Sequence, residues 1–184
     1  MIYTVLDTET NGFKGSSVLE FYAVSFELDH DLDPINMHDI HRFYYPLERF
    51  NPGAIRVHGL TGEYIRILRG SSKYAEHFLH DPDIGDFLCK SDCVIGHNIS
   101  FDLGFIDPSC FKDGVKTFCT MRNNNRIIRG RRGYKQPKLV ELAEYYNIYH
   151  SDEEFHGAKY DTHITLQVFI SMIKKDASFT ADNI

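Results

Sequence analysis

Five residues of this 184-residue chain have the types and spacing for hydrolytic chemistry: Asp7 and Glu9, one residue apart, Asp102, and His156 with Asp161 five residues on. Four carboxylates gathered in one site would raise one another's pKa and destabilise the fold unless cations neutralised them. Carboxylate oxygens are hard ligands. With positions left open for water and phosphate they suit Mg2+ or Mn2+ rather than zinc. A histidine beside such a site can take a proton from a water molecule held there.

The elements that must position these residues can be read along the chain. Ile2 to Leu6 is an apolar, β-branched strand that delivers Asp7 and Glu9 to its C-terminal end, where the chain turns at Asn11-Gly12. Alternation along a strand puts both carboxylates on one side of a sheet. Val18 to Leu28 predicts a second strand and His41 to Pro46 a third, with turn chemistry at Asp33-Pro34 in the 29–39 stretch between them. The 51–64 stretch reads as a loop, after which Thr61 can cap a short helix running to Leu68. A further helix is expected from Ser72, broken at Asp81-Pro82 and resuming from Ile84 to Cys89.

Asp92 to His97 reads as a central buried strand, followed by a helix that Ser100 can cap and that carries Asp102 in its first turn. Val115 to Cys119 predicts another strand, and Thr120 to Arg129 a helix capped by Thr120. A basic, Gly-rich loop then runs to Pro137. Lys138 to Tyr146 has amphipathic helical spacing, Ser151 to Gly157 is an acidic loop holding His156, and Ala158 to Lys175 forms the last helix, with Asp161 on it. There is no internal repeat and no low-complexity linker.

With 42% hydrophobic and 14% aromatic residues, the chain can bury one core, and a single domain over residues 1–184 is expected. Neither a secretory signal nor a membrane-spanning run is expected from the sequence. Cys89, Cys93, Cys110 and Cys119 lack zinc-site spacing, so reduced, mostly buried thiols and a cytoplasmic location are expected. The net charge of −6 argues against a nucleic-acid partner, but its distribution argues for one. From Gly114 to Val140 stand eight basic residues and no acidic one (Lys116, Arg122, Arg126, Arg129, Arg131, Arg132, Lys135, Lys138). A solvated loop accounts for such a run, and so does phosphate contact with base stacking on Tyr134; a nuclear-localisation signal is a third reading.

Taken together, the motifs carry a family resemblance. Asp7-Thr8-Glu9-Thr10 resembles the first exonuclease motif, His97-Asn98-Ile99-Ser100-Phe101-Asp102 the second, and His156-Gly157-Ala158-Lys159-Tyr160-Asp161 the third, of the DEDD superfamily in its DEDDh branch. This branch includes the proofreading subunits of bacterial replicative polymerases, RNase T and the oligoribonucleases. His58-Gly59-Leu60-Thr61 is similar to the family's substrate-side element, and the resemblance covers nearly the entire chain. A lone D-x-E after a strand is common, and so is a surface His with an Asp; the specificity lies in all three motifs occurring in order at strand-end placements.

The resemblance implies a ribonuclease H-like three-layer α/β fold, with a mixed central sheet of antiparallel opening strands followed by parallel strands and helices on both faces. It implies 3'-5' exonuclease activity by two-metal hydrolysis, in which Asp7, Glu9, Asp102 and Asp161 hold two Mg2+ or Mn2+ ions, His156 activates water, and a nucleoside 5'-monophosphate leaves from the 3' end of DNA or RNA. Thr10 and the Gly12 backbone are expected near the terminal sugar, with Asn98 and His58 positioning the terminal nucleotide, while His97 reads as a buried histidine satisfying backbone groups. No C-terminal tail of the kind that joins proofreading subunits to a polymerase is expected, and a polymerase partner is not indicated. Two alternatives use the same residues: a catalytically silent nucleic-acid-binding or polymerase-associated module, and a hydrolase of short oligonucleotides or other small phosphoesters.

Overall fold

A computed structural model describes residues 1–131, 133–151 and 156–175. Its centre is a five-stranded sheet in the order β3-β2-β1-β4-β5, built from β1 (Tyr3–Thr10), β2 (Val18–Leu28), β3 (Pro34–Phe43), β4 (Cys93–Gly96) and β5 (Lys116–Cys119). The first three strands pair antiparallel; β4 runs parallel to β1, and β5 parallel to β4. This is the expected mixed sheet of a ribonuclease H-like α/β fold. β1 is central because it is apolar on both faces, as a strand covered on both sides must be.

The alternation of β1 and β2 splits the core in two. Tyr3, Val5, Tyr22, Val24 and Phe26 pack with Leu142, Val168, Phe169 and Met172 of α5 (Leu139–Tyr145) and α6 (Ala158–Lys175). Leu6, Phe21 and Ala23 pack on the other face with Ile84 and Leu88 of α3 (Pro82–Leu88). Phe169 is the hub of the first cluster, its ring 5.8, 6.4 and 5.3 Å from those of Tyr3, Phe26 and Phe118. Because Asp7 and Glu9 continue the odd-numbered face of β1, they point to the side that α6 covers. No helix among the described residues is long and apolar enough to cross a membrane.

Several local expectations need correction. The third strand starts at Pro34, well before His41, and ends at Phe43. Asp29 causes this: its carboxylate accepts the N–H groups of Asp31 and Asp33, each at 2.9 Å, closing the turn so early that Pro34 can open a strand. The expected 51–64 loop contains α1 (Pro52–His58), with Asn51 as its N-cap, Pro52 at its first position and Gly59 left-handed at its end. Thr61 does cap the next helix, α2 (Gly62–Arg69), accepting from Tyr64 N at 3.1 Å. No helix starts at Ser72. The Arg69 guanidinium takes the carbonyls of Phe43, Tyr74 and Ala75, which holds that segment irregular up to a 3-10 turn over Phe78–His80, after which Asp81 caps α3.

After β4, a single 3-10 turn over Asp102–Gly104 replaces the expected helix, and no side chain caps it. The helix after β5, α4, covers only Thr120–Asn123, because the Asn123 and Asn124 side-chain amides donate back to the carbonyls of Cys119 and Thr120. Thr120 does not cap it; its hydroxyl contacts His97 Nδ1 at 3.0 Å. The basic loop contains a small hairpin of β6 (Arg129–Gly130) and β7 (Gly133–Tyr134). Of the four free cysteines only Cys93 and Cys119 are buried; Cys89 is exposed. The 151–157 loop lies largely outside the described residues, whereas α6 spans the expected residues.

Candidate active site

Three elements converge at the C-terminal end of β1. The strand supplies Asp7 and Glu9, and α6 supplies Asp161 from its first turn. One carboxylate oxygen of each lies within 4.8 Å of the others. Asp102, 2% exposed, enters from the turn after β4. Its Oδ1 accepts from the Thr8 N–H at 3.0 Å and the Thr8 hydroxyl at 2.8 Å, so the residue between Asp7 and Glu9 fastens the two segments together. β1 and β2 slip register between Glu9 and Thr10, a bulge that bends the chain away just beyond the carboxylates.

The electrostatics are those of crowded, dehydrated acids. Burial pushes the Glu9 carboxyl up to about 8, and the charges of Asp161, Glu20 and Asp102 add to it. Asp7 is raised well above the ordinary range by burial, then by Asp102, Glu9, Asp161 and Glu20. Burial brings Asp102 to about 7 against the two Thr8 bonds that favour its charged form, and Asp161 to about 7 against a bond from the His156 backbone. Asp161 Oδ1 is buried with no hydrogen-bond partner. An orphaned acceptor beside two further oxygens is a poor arrangement for protein alone, and it fits a divalent cation of the hard, oxygen-seeking kind.

Glu20 is a fifth carboxylate that the sequence reading passed over. It sits opposite Glu9 in the β1–β2 register, is 5% exposed, and pairs with His41 Nε2 at 2.8 Å. Its signal was a lone charge inside the apolar run Val18 to Val24, which a two-sided buried strand tolerates only where the charge has a partner.

His156 stands two residues before α6 at φ 74°, exposed, on the wall of an 830 Å3 cleft that also takes in Asp161, His97 and Asn98. The opposite wall is the 136–140 segment, where the basic stretch meets α5. Asn98, exposed and left-handed at φ 67°, faces the same cleft. His97 is held neutral: burial lowers it to about 4, and it bonds the Pro137 backbone and Thr120.

Thr10 and His58 spend their polar groups on the scaffold. The Thr10 hydroxyl donates to the Gly12 carbonyl at 2.6 Å; His58 Nε2 lies 3.3 Å from the Thr10 carbonyl, and its Nδ1 accepts the Leu60 N–H at 3.0 Å. That pairing fixes the neutral Nε2–H tautomer of His58. Asn11 and Glu48 brace the same turn from beneath. Asn11 donates to Glu48 and to the Arg49 carbonyl, and the bonds from Asn11 and Ser17 overcome burial to bring Glu48 to about 2.

The sequence matches the exonuclease family RNase_T over residues 4–169. It is 29% identical over 180 residues to the DNA polymerase III subunit epsilon of Escherichia coli (strain K12), covering 91% of this chain and 70% of that one. To the subunit of the same name from Buchnera aphidicola subsp. Acyrthosiphon pisum (strain APS) it is 27% identical over 190 residues, with 97% and 76% covered. The fold resembles that of Exonuclease X in complex with 5' overhanging duplex DNA, with a TM-score of 0.69 at 21% identity over 98% of this chain and 96% of that chain. It also resembles E. coli Exonuclease I in complex with a dT13 oligonucleotide, with a TM-score of 0.67 at 17% identity over 94% and 41%. A catalytically silent module is not favoured. The chain belongs to the exonuclease family and is a 3'-5' exonuclease of the DEDD superfamily.

Proposed function

We infer that Asp7, Glu9, Asp102 and Asp161 hold two divalent cations, Mg2+ or Mn2+, and that His156 is the general base, as in the DEDDh branch. The observation that carries this reading is the cluster of Asp7, Glu9 and Asp161 oxygens within 4.8 Å, with Asp161 Oδ1 buried and unpartnered. When bound, the cations neutralise the carboxylates and stabilise charge developing on the phosphate. His156, exposed on the cleft wall, accepts the proton of the attacking water. The water oxygen bonds to the phosphorus of the terminal nucleotide, the bond to the 3'-oxygen of the preceding nucleotide breaks, and that oxygen takes up a proton. The product is a nucleoside 5'-monophosphate.

Asn98, on the cleft wall, lies where the terminal nucleotide would enter, with the turn from Thr10 to Gly12, buttressed by His58, beside the terminal sugar. The DNA in both solved complexes and the DNA polymerase relatives support DNA as the polymer. The test is release of mononucleotides from a 3'-end-labelled oligomer with and without EDTA. His156→Ala should lower kcat by about 10²–10⁴-fold, and Asp102→Ala should abolish release. Unchanged activity in either variant would sink the assignment.

A further inference from the structure

The β6–β7 hairpin leads through Lys135 into the 136–140 segment that lines the cleft. Ile128 and Lys135 close its root, with Lys135 N donating to the Ile128 carbonyl at 3.1 Å, and the Lys135 ammonium pairs with Glu141 on α5. That leaves its other cations uncommitted: among the described residues Arg126, Arg129 and Arg131 are exposed and have no acidic partner. The Arg129 guanidinium lies over the Tyr134 ring, 5.2 Å from its centroid, and Tyr134 is 55% exposed. Gly133, at φ 117°, takes a backbone conformation that favours glycine and opens β7, whose pairing with β6 sets Tyr134 opposite Arg129.

We propose that this hairpin is a strand-holding arm, in which Arg129 and Arg131 bind phosphates of single-stranded nucleic acid and the Arg129–Tyr134 pair stacks on a base, several nucleotides 5' of the bond being cut. The proposal rests on the exonuclease reading and extends it to the length and strandedness of the substrate. The charge is of the sign a polyphosphate requires, and a guanidinium lying on a phenol ring offers a flat face of the kind that stacks on unpaired bases. A duplex hides those faces. The reach sets the number of nucleotides. Tyr134 is four residues from Lys138 on the cleft wall, at most about 13 Å at a strand rise of about 3.3 Å. Stacked nucleotides are about 3.4 Å apart, so the arm meets the strand up to about four nucleotides from the 3' end. A dinucleotide has a single nucleotide 5' of the bond being cut, so with contacts several nucleotides upstream it leaves the arm empty.

The experiment measures kcat and KM for a dinucleotide, a single-stranded octamer and a blunt duplex, with wild type, the double variant Arg129→Gln/Arg131→Gln, Tyr134→Ala and Arg129→Lys. For the octamer the double variant should raise KM about tenfold or more with kcat retained. It should also flatten the log affinity against log salt slope by about 1.4, for two lost contacts at about 0.7 each. Tyr134→Ala should raise octamer KM about tenfold and leave the salt slope alone. Arg129→Lys should keep the slope and lose part of the stacking. Dinucleotide kinetics should not change in any variant. An unchanged octamer KM and slope would overturn the arm and leave the exonuclease reading standing. A larger loss on the duplex than on the octamer would overturn the single-strand assignment. Wild-type protein inactive on all three substrates would overturn the underlying reading instead.

Discussion

At the strand ends Asp102 is 2% exposed and bonded twice from a neighbouring strand, whereas on the hairpin Tyr134 is 55% exposed and covered only by Arg129. The acidic floor is made from three segments far apart in sequence, β1, the turn after β4 and α6, brought together by the packed core. The basic hairpin is made from two short strands, Arg129–Gly130 and Gly133–Tyr134, close in sequence, with one ion pair at its root. The difference follows from the role proposed for each. Carboxylates that hold cations must be fixed and dehydrated while repelling one another, which only a large packed core can enforce. Cations that hold a passing strand need only be present, solvated and within reach. So the floor should be sensitive to distant substitutions and the hairpin should not.

The largest effect that tests this contrast is at the floor itself. Asp161→Asn should lower kcat more than about a hundredfold while raising the melting temperature of the metal-free protein at pH 8, because one buried charge in a repelling cluster has gone. A fall in both would place Asp161 in the scaffold instead. Next is the core that carries it. Phe169→Ala should cost about 3–5 kcal/mol of stability and weaken Mn2+ binding, since α6 delivers Asp161; Arg129→Gln should change stability by less than about 0.5 kcal/mol. Chemical denaturation with and without Mn2+ separates the two regions.

The pH dependence sharpens the electrostatic side. Folded Glu9 titrates at about 8, and Asp102 and Asp161 at about 7, all above the ordinary carboxylate range, so the folded state keeps protons that the unfolded chain has released. Their contribution is fully present below about pH 4 and is lost as pH rises to about 8. Glu48, at about 2, works the other way, its contribution lost only in acid. Metal-free protein should therefore melt at falling temperature between pH 5 and pH 8, and Mg2+ or Mn2+ should restore more stability at pH 8 than at pH 5, with proton release visible by calorimetry. A metal-free melting temperature that climbs over that range would contradict the crowded-acid picture.

The smallest expected effect is at the fastening between segments. Thr8→Val keeps shape but removes one of the two bonds to Asp102 Oδ1. It should cost about 1–3 kcal/mol and lower metal affinity about 10–100-fold. Dinucleotide and octamer cleavage should fall by the same factor, unlike the length-dependent loss expected at the hairpin.

Asp7, Glu9, Asp102, His156 and Asp161 stood out as candidates because each sits in a short local signature beside a strand end or a helix start, and α6 was legible end to end because its apolar spacing is long and regular. The start of β3 and the whole of α1 were not. The Asp29 turn and the Asn51 cap are local, yet each competes with neighbours whose own preferences point elsewhere, and the segment after Ser72 lost its helix to a guanidinium from α2.

The sequence by itself determined the residue types, their order, the alternation that puts Asp7 and Glu9 on one face, and the segregation of charge between residues 114 and 140. Only the tertiary structure decided that Glu20 lies opposite Glu9, that Thr8 binds Asp102, that both ring nitrogens of His58 are spent on the scaffold, and that the 136–140 segment after the basic hairpin lines the cleft. The reason is range. Propensity and alternation act over a few residues, but register and the meeting of distant carboxylates are set by how two faces of one sheet are buried, a property of the whole packed core.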